Sequence, residues 1–195
     1  MLLLELFKGT GSVGKIAKKM KMDIISLDFD EKFEPDILTD ILKWNYKTIP
    51  IPDIIWASPP CNTYSVLAYP FKERNIKTAE PYSERAKIGT QILYKTLEII
   101  DYFLKKNPKL KWVIENPRGM MRHDKHMKEL YRETTSYNQY GDKRWKPTDF
   151  FSNVVLDLKP NLKPKEMSRI EDLSIKNRYA IPPKLVRAIL DKLYI

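Results

Sequence analysis

Cysteine is nearly missing from this 195-residue chain: Cys61 is the only one. A single thiol excludes an internal disulfide and suits a reducing compartment, so a cytoplasmic location is expected. Histidine is almost as scarce, with His123 and His126 alone. Three positions apart, they have a spacing that can hold a metal. No third ligand accompanies them, however, so a solvated helix face is the simpler reading and no metal site is expected. No apolar run approaches the roughly 20 residues that cross a bilayer. The apolar start, Met1 to Phe7, is too short for a signal peptide and carries no basic leader, so no membrane partner is expected. Acidic residues are outnumbered, 25 against 35 Lys and Arg, for a net charge of +10. That balance favours a polyanionic partner, nucleic acid above all. The length suits one domain, 1–195, with a sizeable core, and there is no internal repeat.

What is present is an alternation of short apolar runs and helical patterns. Leu2 to Phe7 reads as a buried strand, followed by Lys8-Gly9-Thr10-Gly11-Ser12-Val13-Gly14 and a helix from about Ser12 to Met20. Strand, glycine turn and helix open a nucleotide-binding α/β unit, because glycine lets the backbone turn sharply and approach a ligand. The G-x-G-x-x-G spacing alone is a weak signal. Asp23 to Leu27 is a second strand ending in Asp28-Phe29-Asp30, where a carboxylate can meet ribose hydroxyls and Phe29 can lie against an adenine. Asp36 to Ile41 is a third short element, with Asp40 placed to meet the adenine amino group.

The stretch Ser58-Pro59-Pro60-Cys61-Asn62-Thr63-Tyr64-Ser65 follows a buried strand over Asp53 to Ala57. Two prolines fix the backbone there, and a thiol on a rigid turn past a strand end is where an open α/β sheet places its chemistry. The competing reading makes Cys61 a small buried hydrophobe. Val66 to Tyr82 reads as a long lid-like loop mixing aromatic and basic residues. Glu84 to Lys106 is a helix with Ile88, Ile92, Leu93, Ile99, Ile100, Phe103 and Leu104 on its core face. Leu110 to Ile114 is a strand leading to Glu115-Asn116-Pro117-Arg118-Gly119, a second carboxylate on the rim that holds Cys61. Met120 to Arg132 is basic. Tyr137 to Gly141 and Asp149 to Val155 read as a strand pair joined by a basic connection, Asp142 to Thr148. Lys159 to Arg169 is a Pro/Lys-rich linker, and Ile181-Pro182-Pro183 starts a last helix with Leu185, Val186, Ile189, Leu190 and Leu193 inward.

Taken in order, these segments resemble the DNA cytosine-5 methyltransferases, in the small form found in phages and viruses. Leu6 to Gly11 resembles the motif F-x-G-x-G; Asp28-Phe29 sits where that family has its ribose acid and adenine-stacking ring; and Asp40-Ile41 resembles its D-I pair. Pro59-Pro60-Cys61 is similar to the P-P-C nucleophile motif, with Asn62 where glutamine is usual, and Glu115-Asn116-Pro117 resembles E-N-V. Tyr140-Gly141 through Lys146 loosely resembles the Q-x-R-x-R region, with altered arginine spacing. Ala180 to Leu185 is similar to the closing motif, Arg178-Tyr179 replacing its Gly-Asn.

The resemblance implies a Rossmann-like α/β fold, with a mostly parallel sheet and helices on both faces, that binds S-adenosylmethionine. Phe7, Gly9, Thr10, Gly11, Asp28, Phe29, Asp40, Ile41, Pro59 and Ile181 are the implied cofactor contacts. Cys61 is the implied nucleophile at C6 of cytosine and Glu115 the group that steadies the base. Pro60, Asn62, Ser65, Asn116, Arg118, Arg144 and Lys146 are the implied DNA-side residues, and the target base must flip out of the duplex. The basic loops are expected to lower the thiol pKa, and Asn62 to Tyr82 to close over the base. Only Leu156 to Asn177 stands where the family carries a target-recognition domain. Short or relaxed sequence specificity, or specificity supplied by a second subunit or accessory partner, is therefore expected. Three other readings stay open: an exocyclic-amino methyltransferase, favoured by Ser58-Pro59-Pro60 but not by Cys61; an RNA cytosine-5 methyltransferase; and a nucleic-acid-binding protein that kept the fold and lost catalysis.

Overall fold

The computed structural model describes residues 1–165 and 179–194. One seven-stranded sheet organises the chain: β1 (Leu2–Leu6), β2 (Asp23–Asp28), β3 (Ile37–Leu38), β4 (Ile54–Ala57), β5 (Lys111–Pro117), β6 (Arg132–Ser136) and β7 (Pro147–Ser152). Their order across the sheet is β3-β2-β1-β4-β5-β7-β6, and β7 alone runs antiparallel to its neighbours. The chain therefore winds outward in both directions from β1 and β4. That reversal leaves a crevice at the C-terminal ends of these two strands, where open α/β sheets bind ligands.

Helices cover both faces, which is why β4 is apolar at all four positions and fully buried. On one face Leu4, Leu6, Ile55, Ala57 and Ile114 pack with Leu93, Ile100 and Phe103 of α2 (Glu84–Lys106). On the other, Leu3, Ile54, Trp56, Val113 and Phe150 meet α1 (Ser12–Lys19) and α3 (Pro183–Tyr194). All five residues expected inward on α3 are buried. Helix α2 starts where Ser83 accepts a hydrogen bond from Ala86 N and ends at Asn107, ahead of Pro108. Ile88 departs from its expected core position and is 50% exposed. At this end of α2 the inward positions are Ala86 and Gly89, and Arg74 fills the space beside Gly89.

Three expectations change. The third element shrinks to Ile37–Leu38, with only two register pairs to β2. The antiparallel pair forms between β6 and β7, so Tyr137–Tyr140 is a 3-10 turn inside the connection rather than a strand. The threonines of Arg132–Ser136 suit a pleated strand, and Thr135 and Ser136 are buried there. The basic segment Met120 to Arg132 is not a solvated helix: a short 3-10 turn, Met120–His123, is followed by irregular chain, and Met120, Met121 and Met127 are buried. His126 rests edge-on against Tyr94, ring centroids 4.5 Å apart, and among the described residues no cluster suited to a metal exists. Nor is any described helix long and apolar enough to cross a membrane.

Candidate active site

The first wall of the crevice is the turn after β1. Phe7, Gly9 and Gly11 all adopt positive φ (64°, 49° and 66°). The two glycines carry that geometry without strain, whereas Phe7 bears it. Gly9 N donates to Asp28 Oδ2 at 2.9 Å, and Asp30 N to Asp28 Oδ1 at 3.0 Å. Asp28 thus pins the glycine loop to β2, and each of its oxygens keeps a lone pair for a ligand hydroxyl. Phe29 beside it is 72% exposed, an aromatic face without a partner of its own. Ser12 Oγ lies 2.9 Å from Thr10 Oγ1 and accepts from Ile181 N at 3.1 Å, tying the segment before α3 to the start of α1.

Under this loop lies a residue that the sequence motifs did not single out. Glu5 is buried on β1, its Oε2 has no hydrogen-bond partner, and a Cβ on Gly14 would come within 2.8 Å of that oxygen. Burial pushes its carboxyl up to about 7, opposed by the Gly14 and Val13 backbone N–H groups and by Lys8. The signal available in the sequence was the charge itself: a glutamate inside the run Leu2-Leu3-Leu4-Glu5-Leu6 cannot be buried without a reason.

The second wall joins two turns. After β4, Ser58-Pro59-Pro60 carries the chain to Cys61, whose carbonyl accepts from Tyr64 N (3.0 Å) and Ser65 N (2.9 Å). After β5, Asn116 Nδ2 donates to Pro59 O at 3.0 Å, so the strand that presents Glu115 is bolted to the thiol turn. Ser65 forms an isolated bridge with Gly119, and Met120 N donates to Tyr64 O at 2.6 Å. A Cβ at Gly119 would lie 2.1 Å from Tyr64 O, so only glycine admits this approach.

The far half of the lid-like loop is anchored. Arg74 is buried with its guanidinium 3.6 Å from the Tyr64 ring centroid. It donates to Thr63 Oγ1 (3.1 Å), Ala79 O (3.0 Å), Thr90 Oγ1 (2.8 Å) and Ala86 O. The exposed apolar side chains Val66, Leu67 and Phe71 all fall in the short 3-10 segment Val66–Phe71 ahead of this anchor.

Glu115 is fully enclosed. Tyr137 Oη donates to its Oε1 at 3.4 Å, Ser58 also hydrogen-bonds the carboxyl, and Lys146 Nζ lies 3.5 Å from Tyr137 Oη. Burial raises the Glu115 pKa above its ordinary value, with Lys146 pulling the other way. Burial thus makes the protonated form easier to reach than on an exposed carboxyl, and that form can donate to a ring nitrogen. Tyr137 escaped the sequence reading because its segment read as a strand; in the 3-10 turn its ring instead backs Lys146 and Arg144.

Cys61 corrects one expectation. Its thiol pKa is raised, not lowered: burial dominates and the charge of Glu115 adds to it, while Lys146 opposes both. One cation at the edge of an enclosed site does not offset the desolvation of a thiolate.

A single cavity of about 1050 Å³ joins the two walls. Phe7, Gly9, Thr10, Gly11, Asp28, Phe29, Pro59, Pro60, Cys61, Glu115, Lys146 and Ile181 all line it. The other expected site residues stand outside that lining. Asp40 is exposed and accepts from Leu42 N at 3.0 Å, and Ile41 is buried in the α2-side core. Asp36 reaches the cavity in their stead, held by Ser26 Oγ (2.6 Å). Asn116 and Ser65 fasten backbone, Arg144 is engaged by Asp142 and Ala180 O (2.9 Å), and Asn62 and Arg118 are exposed. Arg178 lies outside the described residues.

Known proteins resemble this chain in sequence and in fold. No family model matches the chain. A protein of Frog virus 3 (isolate Goorha), described as a probable DNA (cytosine-5)-methyltransferase, is 31% identical over 148 residues, covering 73% of this chain and 65% of its own length. A crystal structure of a mutant DNMT2 from Spodoptera frugiperda superposes with a TM-score of 0.51 at 14% identity, over 85% of this chain and 54% of that one. The chain thus spans about two thirds of the viral relative and about half of the insect protein. From the parallel sheet with its antiparallel β7, and from the viral sequence match, the chain belongs to the cytosine-5 methyltransferase family.

Proposed function

We propose that this protein transfers a methyl group from S-adenosylmethionine to C5 of cytosine in DNA, through a transient bond between Cys61 Sγ and C6. The observation that carries this reading is the continuity of the cavity, which places the glycine loop, Asp28 and Phe29 in one space with Cys61 and Glu115. The residues fit the cofactor. Phe29 offers a free ring face for adenine, Asp28 spare lone pairs for ribose, and Glu5 a buried, unpartnered oxygen for an ammonium group. When bound, the cofactor supplies an electrophilic methyl group on sulfonium sulfur.

The chain's own residues do the rest. Cys61 gives its thiol proton to solvent water before its sulfur adds to C6. Glu115, once protonated, donates toward N3 and offsets the charge that the addition pushes onto the ring. The added bond makes C5 an enamine carbon able to take the methyl group. A base or water then removes the C5 proton, the electron pair left behind expels Cys61 Sγ as thiolate, and N3 returns its proton to Glu115. Lys146, beside both Cys61 and Glu115, supplies the positive field that stabilises thiolate in an otherwise desolvating site.

Nucleoside mass spectrometry of duplex DNA incubated with S-adenosylmethionine tests the reading. New 5-methylcytosine, lost in Cys61→Ala while S-adenosylhomocysteine still stabilises the variant, is the expected result. N4-methylcytosine or N6-methyladenine would overturn it in favour of amino-group transfer, and 5-methylcytosine formed only in RNA would replace the substrate.

A further inference from the structure

The strap Lys159–Lys163 carries no buried apolar side chain, yet it is docked. Leu162 O accepts from Asn138 Nδ2 (3.1 Å) and Gln139 Nε2 (3.3 Å), and Asn161 Oδ1 accepts from Trp145 Nε1 at 3.1 Å. Lys159 N donates to Tyr140 Oη at 3.0 Å. Burial of a side chain does not explain this strap, because Leu162 itself is 56% exposed. All four contacts come from the connection that delivers Lys146 to the active site, and Trp145 immediately precedes Lys146.

Two lysines on the strap sit on aromatic rings. Lys159 Nζ lies 5.4 Å from the Tyr140 centroid and Lys163 Nζ 5.4 Å from that of Trp145. The ring contacts order both stems, and Lys159 Nζ also donates to Gln139 O at 3.2 Å, which fixes that ammonium while leaving its other protons for a ligand. Among the described residues, the contacts of these two ammonium groups are with neutral partners: the Tyr140 ring and Gln139 O for Lys159, and the Trp145 ring for Lys163. Lys87, Lys95 and Lys105 on α2, by contrast, each pair with a carboxylate one turn away. Pre-ordered and unneutralised cations beside a catalytic rim are what a phosphate backbone engages.

We propose that the strap Lys159–Lys163 is a nucleic-acid clamp, in which Lys159 and Lys163 each neutralise a phosphate of the strand whose base enters the cavity. Trp145 couples the clamp to Lys146, so that seating the backbone also settles the active-site rim. The identity of the partner as DNA rests on the function proposed above.

The test is duplex binding by fluorescence anisotropy, with S-adenosylhomocysteine present, across a series of salt concentrations. Lys159→Ala/Lys163→Ala should lower the slope of log K against log salt by about 1.8, about 0.9 for each phosphate, and weaken binding roughly 10- to 100-fold at 0.1 M salt. The thermal stabilisation by S-adenosylhomocysteine should not change. Lys106→Ala/Lys109→Ala, ahead of the N-terminal end of β5 and so on the side of the sheet away from the crevice, should leave the slope where it was. An unchanged slope in the strap variant overturns the clamp. If the wild type binds single-stranded RNA but no duplex, and the strap variant loses slope there, the clamp stands and the DNA reading falls.

Discussion

Asn116 Nδ2 donates to Pro59 O across 3.0 Å, and this bond, together with that from Met120 N to Tyr64 O, holds the turn bearing the thiol against the strand bearing the carboxyl. Both partners are buried. Asn116→Ala leaves the Pro59 carbonyl without a donor, which costs about 1–3 kcal/mol. At this chain length the melting temperature should fall by about 2–4 °C for each kcal/mol. Asn116→Asp should be worse than alanine, because it sets a second acceptor against the carbonyl. Methyl transfer should drop further than stability in both. Thermal melts and single-turnover rates measure the two effects, and an aspartate variant as stable as wild type would contradict the bond's role.

The raised thiol pKa can be read chemically. Iodoacetamide should alkylate Cys61 slowly at neutral pH and faster as pH climbs past the ordinary thiol range. Removing the opposing cation with Lys146→Gln should push the pKa higher and slow alkylation several-fold at pH 8. Glu115→Gln removes a charge that acts in the same direction as burial, and should speed it. Equal rates in all three proteins would show that neither charge reaches the sulfur.

Glu5 predicts a pH dependence of stability. Its carboxyl titrates near 7 in the folded chain against an ordinary 4.5. Below 4.5 it is protonated in both states. Between 4.5 and 7 the unfolded chain releases the proton while the folded one holds it, so stability falls as pH rises through that window. The difference corresponds to about 3 kcal/mol at full extent. Glu5→Gln should therefore melt higher than wild type at pH 8, and the gap should close toward pH 4.5. Melting curves of both proteins from pH 4.5 to 8 test it; a gap independent of pH would refute it.

Phe29 separates binding from folding. Its ring is mostly in solvent, so Phe29→Ala should leave the melting temperature of the free protein nearly unchanged. If the ring stacks on the cofactor's adenine, calorimetry should record a roughly 5- to 100-fold loss of S-adenosylhomocysteine affinity. An unchanged dissociation constant would remove Phe29 from the cofactor site.

Arg74 divides the loop into a held half and a free half. Arg74→Leu strips donors from Thr63, Ala79, Ala86 and Thr90 at once, at a cost of at least ~2 kcal/mol. Limited proteolysis should then cut throughout 66–82, whereas in wild type cleavage should concentrate in 66–72. Cleavage at the same sites in both proteins would argue against the anchor.

Local pattern carried a large share of this protein. The apolar runs of β1, β2, β4 and β5, the glycine turn, the limits of α2 and the inward face of α3 are all legible in order, because period and end signals are short-range physics. The motif residues around Cys61 and Glu115 belong to the same class: Pro, Gly and a lone thiol mark rigid turns without reference to the rest of the chain. What the tertiary structure decided was which groups meet. Thr135 and Ser136 pair as a strand because β7 offers an edge, and Tyr137 becomes a support for Lys146 because that pairing ends one residue earlier. Ile88 is exposed because it lies off the stripe, Ala86, Leu93, Thr96, Ile100 and Phe103, that α2 turns toward the sheet. The thiol pKa goes up rather than down because enclosure, a property of the whole packed crevice, outweighs one nearby lysine. Desolvation and contact across distant segments have no period in a sequence, so only the folded chain expresses them.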